Sequence, residues 1–227
     1  MVRRRTATLS LSTVSALALL AAAPMITSCG STHAGAAAVV DGQTISDSAL
    51  ESQVKAVRTA QNQTSQAGQL IEATSGLDRS MLGNLVFDRV IDRAAQSAGI
   101  TVSQARIQQL EAAAAQQAGG MSMLRTQLLE QYAVAPGQVD GFYRVQAEAQ
   151  GIARSLGVDL STPQGQESVT KELAKTSQQL HIDVNPRYGT WNNQTLTLGS
   201  ASEPWLRQAA APSPSALTGQ TGQTAQS

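Results

Sequence analysis

The sequence predicts a mainly α protein, a helical bundle of about six helices with one extended segment near each end of the folded part. Two observations lead to this prediction. Hydrophobic residues are 41% of the 227 residues, but alanine supplies much of that fraction, and alanine favours helices over a large β sandwich. Apolar residues also recur three and four positions apart along most of the chain, which is the spacing of a helix with one buried face.

The N-terminal residues indicate export followed by lipidation. Residues 3–5 are arginines, an apolar run follows over about 9–23, and Ile26 stands three positions before Cys29. This pattern is typical of a bacterial signal peptide with a lipobox, in which cleavage follows Ser28 and Cys29 carries the lipid. Two acyl chains on one residue suffice for stable anchoring. We therefore expect a lipid-anchored protein on the extracytoplasmic face of the cell membrane. The alternative is a secreted protein in which Cys29 is an incidental free thiol.

Composition argues against several functional classes. The chain has 16 basic and 16 acidic side chains, so it lacks the positive surface that a general nucleic-acid binder needs. Without residues 1–28 the balance is 13 basic to 16 acidic, a net charge of −3. A single Cys and two distant His exclude a disulfide framework and a zinc cluster. No glycine-rich phosphate loop, His-Glu-x-x-His or Gly-x-Ser-x-Gly motif occurs. We expect no catalytic residues, no metal, no cofactor and no small-molecule substrate.

The chain divides into four predicted parts. Residues 1–28 form the signal peptide, and residues 29–36 are small and polar, as expected of a tether between the lipid and a domain. Residues 37–207 form the folded domain. Residues 208–227 contain no charge and a single Leu, so they cannot bury enough apolar surface to order themselves. We therefore expect a disordered tail.

The folded part begins with a strand and a capped helix. Residues 37–45 read as a strand with a tight Asp41-Gly42 turn. Ser46 then caps a helix that runs to about Gln63, since its hydroxyl can accept a hydrogen bond from the first turn. A polar stretch of Gln, Thr, Ser and Gly separates this helix from the next one.

Five more helices follow, separated by residues that begin or end helices. The second helix carries two adjacent apolar rows, so we expect it at the centre of the core. Gly99 ends it, and Ser103 caps the third helix. The Gly119-Gly120 pair separates the third from the fourth, and Thr162-Pro163 starts the sixth. Residues 182–191 read as extended because an Asn-Pro pair bars a helix. The expected helices span about 77–98, 103–118, 121–132, 138–156 and 163–180.

Few polar residues suggest a site. On the second helix Asp88 and Asp92 are one turn apart, and arginines interleave with them. This pattern is typical of a solvated helix face rather than of a pair of metal-binding carboxylates. His181, at the junction of the last helix and the last extended segment, reads as a surface or boundary residue rather than an acid–base catalyst.

Three stretches together resemble a known family. They are residues 39–46 (VVDGQTIS) leading into a helix, residues 98–103 (AGITVS), and Gly120-Met121 followed by Leu124 and Leu128. Over about 37–188 their order resembles the N-terminal domain of SurA-type periplasmic chaperones and of PrsA-type lipoprotein foldases. The run from Ala98 to Arg144 is the more specific part of this resemblance.

The resemblance implies both a fold and a function. In that family the helices form a bundle, and a late strand pairs with the first strand as a small two-stranded β element. Residues 182–191 are placed to be that late strand. The family binds unfolded exported proteins without ATP, and most full-length relatives also carry a parvulin prolyl-isomerase module. Only about 25 residues separate Leu156 from Ile182 here, and they read as one helix, so we expect no such module and no isomerase activity.

The leading expectation is therefore a membrane-anchored, ATP-independent chaperone that holds unfolded or partly folded exported polypeptides. Its client-binding residues are expected among apolar side chains near the Gly119-Gly120 turn and on the fifth helix. Flexible methionines suit varied partners, although apolar residues at helical spacing are more often plain core. The candidate client-binding residues are Met121, Met123, Leu124, Leu128, Phe142 and Tyr143.

The alternative expectation is an interaction lipoprotein of the cell envelope that docks one dedicated partner. Arg187, Tyr188 and Trp191 are the candidate docking residues, because Arg, Tyr and Trp are enriched at interface hot spots. Internal packing of the returning strand is the favoured interpretation of the same segment.

Overall fold

The structure of the protein is a computed structural model, and it describes residues 34–200. The predicted signal peptide, the cleavage position Ser28, the lipidation site Cys29 and the predicted tail 208–227 lie outside the described residues.

Helices dominate the described part of the chain, and seven are present between residues 34 and 200. They are α1 (Asp47–Asn62), α2 (Ala67–Ala73), α3 (Leu77–Ser97), α4 (Gln104–Ala118), α5 (Met121–Tyr132), α6 (Val139–Ser155) and α7 (Pro163–Gln179). The predicted mainly α bundle is confirmed, with α2 as an additional helix within the polar stretch after α1. Between α6 and the strand that begins at Ile182 the chain forms only α7, as predicted.

The predicted caps begin and end these helices. The hydroxyl oxygens of Ser46 and Ser103 accept backbone N–H groups at the starts of α1 and α4, and Thr162 does the same for α7. Such bonds satisfy donors that the first helical turn leaves unpaired. Gly99 and Gly119 follow α3 and α4 with φ of +68° and +89°, a conformation that glycine adopts without steric cost.

α2 depends on contacts that are distant in sequence. It has no side-chain cap, and its seven residues are too few for a stable isolated helix. The guanidinium of Arg58 on α1 donates to the side-chain and backbone oxygens of Thr74, each at 2.6 Å. The buried amide of Gln61 donates to the Thr74 hydroxyl at 3.2 Å. α1 therefore holds the end of α2, which explains why the local pattern did not predict it.

The predicted pairing of the two ends of the fold is confirmed. Strand β1 (Ala36–Val40) pairs antiparallel with β3 (Ile182–Val184), which places Ala38 opposite Val184. β1 also pairs with β2 (Gln43–Ser46) across a turn in which Asp41 and Gly42 have φ of 50° and 76°. The sheet order is β2-β1-β3, so the β element has three strands instead of the expected two. A separate hairpin joins β4 (Trp191–Asn192) to β5 (Thr197–Leu198).

Two apolar clusters form the core. The larger one is built around α3, on which Leu82, Val86 and Val90 are fully buried. The smaller one joins α4, α5 and the start of α6 through residues such as Ile107 and Leu128. α6 contributes to both clusters and packs against α3, α4 and α7. Among residues 34–200, no helix combines the length and apolar content needed to cross a membrane.

Candidate functional site

An open groove of about 540 Å³ lies between α3 and α6. The turn from α5 to α6 closes one end of it, and Gln53 of α1 lies at its edge. Its lining mixes apolar side chains with a few polar ones. The apolar members are Met81, Leu85, Phe87, Tyr132, Phe142 and Val145, and the polar members include Asn84, Gln138, Asp88 and Arg144.

Helical periodicity accounts for the α3 wall of the groove. Met81, Asn84, Leu85 and Asp88 are separated by three, four and seven positions, so their side chains lie on one stripe of the helix. The adjacent stripe of α3, with Leu82, faces the larger core cluster. One helix therefore supplies both the core and a groove wall.

The α5–α6 turn is held by side-chain hydrogen bonds. Gln138 Oε1 accepts the backbone N–H of Ala135 at 2.8 Å, and its Nε2 donates to the Gln53 side chain on α1 at 2.5 Å. Gly141 lies one turn further along α6, and the space where a Cβ would stand is open. Amide groups thus fix the closed end of the groove, and Gly141 leaves the adjacent surface of α6 without a side chain.

Phe142 is the central aromatic residue of the groove. Its ring lies 5.5 Å from that of Tyr132 and 5.4 Å from that of Tyr143, the second contact being edge to face. Tyr132 is exposed, and Phe142 is half-buried. Rings in such a position offer apolar area with little conformational freedom to lose, which suits binding of apolar side chains.

Charged side chains of α3 and α6 meet beside the groove. Asp88 and Asp92 of α3 face Arg144 and Glu148 of α6, and the Arg144 guanidinium lies 4.0 Å from the Asp92 carboxylate. The expectation that Asp88 and Asp92 lie on a solvated face is wrong, since both are partly buried at the contact between these helices. Within residues 34–200 no three His, Cys, Asp or Glu side chains are placed to hold a metal ion.

Burial changes the acidity of two of these carboxyl groups. Desolvation raises the pKa of Asp88 to about 6, against the attraction of Arg144. The pKa of Glu148 is raised to about 8, first by desolvation and then by the neighbouring Asp92. Glu148 Oε2 and Arg144 Nε are both buried without a hydrogen-bond partner. Glu148 is therefore mostly neutral near pH 7, whereas Asp88 is mostly ionised.

The predicted client-binding residues fall into two groups. Phe142 lines the groove, and Met123 is 52% exposed elsewhere on α5. The expected exposure is wrong for Leu124, Leu128 and Tyr143, which are about as buried as the rest of the smaller core cluster. Met121 is half-buried against the same cluster. The reason is that α4, α5 and the start of α6 pack together in this cluster, which includes these three residues but not Met123.

The predicted docking segment packs inside the fold. Tyr188 and Trp191 are 8% and 9% exposed and belong to the larger core cluster. The Trp191 indole N–H donates to the buried Ser177 hydroxyl at 2.9 Å. Arg187 is exposed, and its guanidinium bonds Asp47 at 2.7 Å. Of the two interpretations of this segment, the structure favours internal packing for its aromatic residues.

Several groove residues were not singled out from the sequence. The crossing of α3 and α6 places Phe87, Arg144 and the glutamines of the closed end, and it also brings in Asp88, which was expected on a solvated face. The apolar row that contains Met81 and Leu85 was visible in the sequence, but a core row and a groove wall have the same spacing. Only the absence of a covering helix distinguishes them.

Comparison with known proteins identifies the family. No curated protein and no solved structure gives a significant match to this chain. A family model for the SurA-like N-terminal domain matches residues 1–132, which is more than half of the chain and includes every element from β1 to α5. The resemblance read from the sequence is thereby confirmed, and the chain belongs to the SurA-like N-terminal domain family.

Proposed function

We propose that this protein is a membrane-anchored, ATP-independent chaperone that holds unfolded or partly folded exported polypeptides and has no prolyl isomerase activity. The SurA-like N-terminal domain is a chaperone-type domain rather than a catalytic one, and domains of this kind bind polypeptides. The proposal places the protein outside the cytoplasm, tethered through a lipid on Cys29.

The open groove between α3 and α6 is the observation that supports binding most directly. Its wall offers half-buried Phe142 and exposed Tyr132 beside amide side chains, so it can take an apolar side chain and hydrogen-bond an extended backbone. Its opening and mixed lining suit many sequences rather than one rigid ligand. Burial of client side chains contributes about 25 cal/mol per Å², offset in part by ordering of the client. We therefore expect weak and broad binding.

Suppression of aggregation tests the holdase activity and the groove together. The purified protein should suppress aggregation of several unrelated unfolded proteins at near-stoichiometric ratio. Phe142→Gln should raise the concentration needed for half suppression about fivefold, which corresponds to about 1 kcal/mol of lost apolar contact. The matched control is Leu156→Gln, because Leu156 is 42% exposed at the other end of α6 and outside the groove.

The outcomes separate the two functional classes. If Phe142→Gln and Leu156→Gln reduced suppression of aggregation equally, the groove would not be the client-binding site. No suppression of any client, together with tight recovery of one envelope protein, would favour the interaction lipoprotein. Prolyl isomerase activity above background would contradict the non-enzymatic part.

Membrane anchoring has its own test. Replacing Cys29 by serine should move the protein from the membrane fraction to the soluble extracytoplasmic fraction, because serine has no thiol to accept the lipid. Fractionation followed by immunoblotting measures this, and Ser31→Ala, two residues away, is a control expected to stay bound. Retention in the membrane of a Cys29→Ser protein that has been cleaved after Ser28, as shown by its mass on the blot, would exclude the lipid anchor.

A further inference from the structure

The Asp88 carboxylate is the one charged group of the groove wall whose opposite charges, Arg144 and Arg89, attract it without forming an ion pair among residues 34–200. It makes no hydrogen bond and no ion pair there, whereas Arg144, the other charged member of the lining, pairs with Asp92. Asp88 is partly buried, so water solvates it incompletely, and it stands on the same stripe of α3 as Leu85 and Met81. An incompletely solvated carboxylate beside apolar side chains gains from a cation or N–H donor that arrives with an apolar ligand.

The charges around Asp88 leave an excess of negative charge. Arg144 faces it from α6, Asp92 and Arg89 are its charged neighbours on α3, and Glu148 lies further along α6. Arg89 is exposed and donates to the side chain of Gln43, away from the groove. Since Glu148 is mostly neutral near pH 7, the Asp88 and Asp92 carboxylates meet one guanidinium from α6, that of Arg144, while the exposed Arg89 attracts Asp88 more weakly.

We infer that the groove selects client segments in which a lysine or arginine accompanies apolar side chains, with the client cation bound by the Asp88 carboxylate and the apolar side chains placed against Phe142 and Leu85. This inference rests on the proposed chaperone function and specifies the class of segment bound. Apolar segments bracketed by basic residues satisfy both the apolar wall and the unpaired carboxylate, whereas acidic segments meet repulsion at the same point.

Two peptides that differ by one charge provide the test. Both carry the same short apolar sequence, one with a lysine and the other with ε-N-acetyl-lysine, which keeps the stem and removes the charge. Titration of the full chain should show about fivefold tighter binding of the lysine peptide, since the pair is partly exposed to solvent. Asp88→Asn should abolish this preference by lowering the affinity for the lysine peptide to about that for the acetylated peptide.

Asp78→Asn is the matched control. Asp78 is exposed in the first turn of α3 and lies outside the groove, and its substitution removes the same charge from the same helix. The lysine preference should persist in this variant. The preference should also fall as the pH drops through about 6, because Asp88 then takes up a proton. Binding of the acetylated peptide should not follow that titration.

The results distinguish this inference from the proposed function. Equal affinity for both peptides, or a lysine preference that survives Asp88→Asn, would overturn the inference while chaperone activity stands. Failure of either peptide to bind, with no suppression of aggregation, would overturn both. Trp205 belongs to residues 201–227. If a Trp205→Ala chain bound both peptides more tightly, the occupant of the groove would be that segment of the chain itself and not a client. If the affinity for the peptides fell as the protein concentration rose, the occupant of the groove would be a second copy of this chain.

Discussion

Replacing Trp191 by alanine is expected to lower the free energy of unfolding by about 3–5 kcal/mol. The indole is 9% exposed within the larger core cluster, and its N–H donates to Ser177, which is itself fully buried. The substitution therefore leaves a cavity and also leaves the Ser177 hydroxyl without that donor. Because a domain of this size has about 5–15 kcal/mol of stability in total, the loss should be large. Urea denaturation followed by far-UV circular dichroism measures it.

Arg187→Ala serves as the control for this prediction. Arg187 belongs to the same segment, but its side chain is 54% exposed in its ion pair with Asp47. Exposed pairs contribute about 1 kcal/mol or less. If Trp191→Ala left stability within about 1 kcal/mol of the original and instead abolished capture of a partner, the segment would be a docking element after all.

Stability is expected to fall as the pH rises, because of Glu148. Its folded pKa is about 8 and its ordinary value is 4.5, so the folded state binds the proton more tightly than the unfolded chain. The stabilisation from Glu148 is complete below pH 4.5, its ordinary pKa, and is lost as the pH rises through about 8, its pKa in the folded state. Glu148→Gln keeps a neutral side chain at every pH. It should match the original protein near pH 4 and exceed its stability by about 4 kcal/mol near pH 9.

The comparison of the two proteins isolates Glu148 from its neighbours. Asp88 also has a raised pKa, but its contribution is common to both proteins and cancels in the difference. Glu130→Gln on exposed α5 surface should leave the slope of stability against pH unchanged. Denaturation midpoints at several pH values measure the effect. Parallel curves for the original and Glu148→Gln proteins would show that the Glu148 carboxylate is solvated in the folded state.

Local rules predicted most of the helices correctly. Ser46, Ser103 and Thr162 cap helices through their own hydroxyls, and Gly99 and Gly119 end helices through positive φ values. These effects act within one turn of the chain, so a single sequence contains all the information needed. The family resemblance added the pairing of β1 with β3, which joins residues too distant for any local pattern.

The exposure of apolar side chains was harder to predict. Leu124 and Leu128 repeat at the same helical spacing as Met81 and Leu85, yet the first pair lies wholly in the smaller core cluster, whereas the second pair lines a groove as well as packing in the larger cluster. Spacing shows only that a face is apolar, and whether another helix covers that face depends on how α4, α5 and α6 cross. Two neighbours on α6 differ in the same way. Phe142 lines the groove, as predicted, whereas Tyr143 is buried in the smaller core cluster.

Sequence alone therefore determined the helical class of this protein, the bounds of most elements, its family and the absence of familiar catalytic motifs. Tertiary structure decided the existence of α2, the position of the groove and the internal packing of Trp191. It also decided the state of Asp88 and Glu148, because the contact between α3 and α6 removes water from both carboxyl groups. The physical reason is that backbone preferences act over a few residues, whereas burial and electrostatics depend on every element that packs nearby.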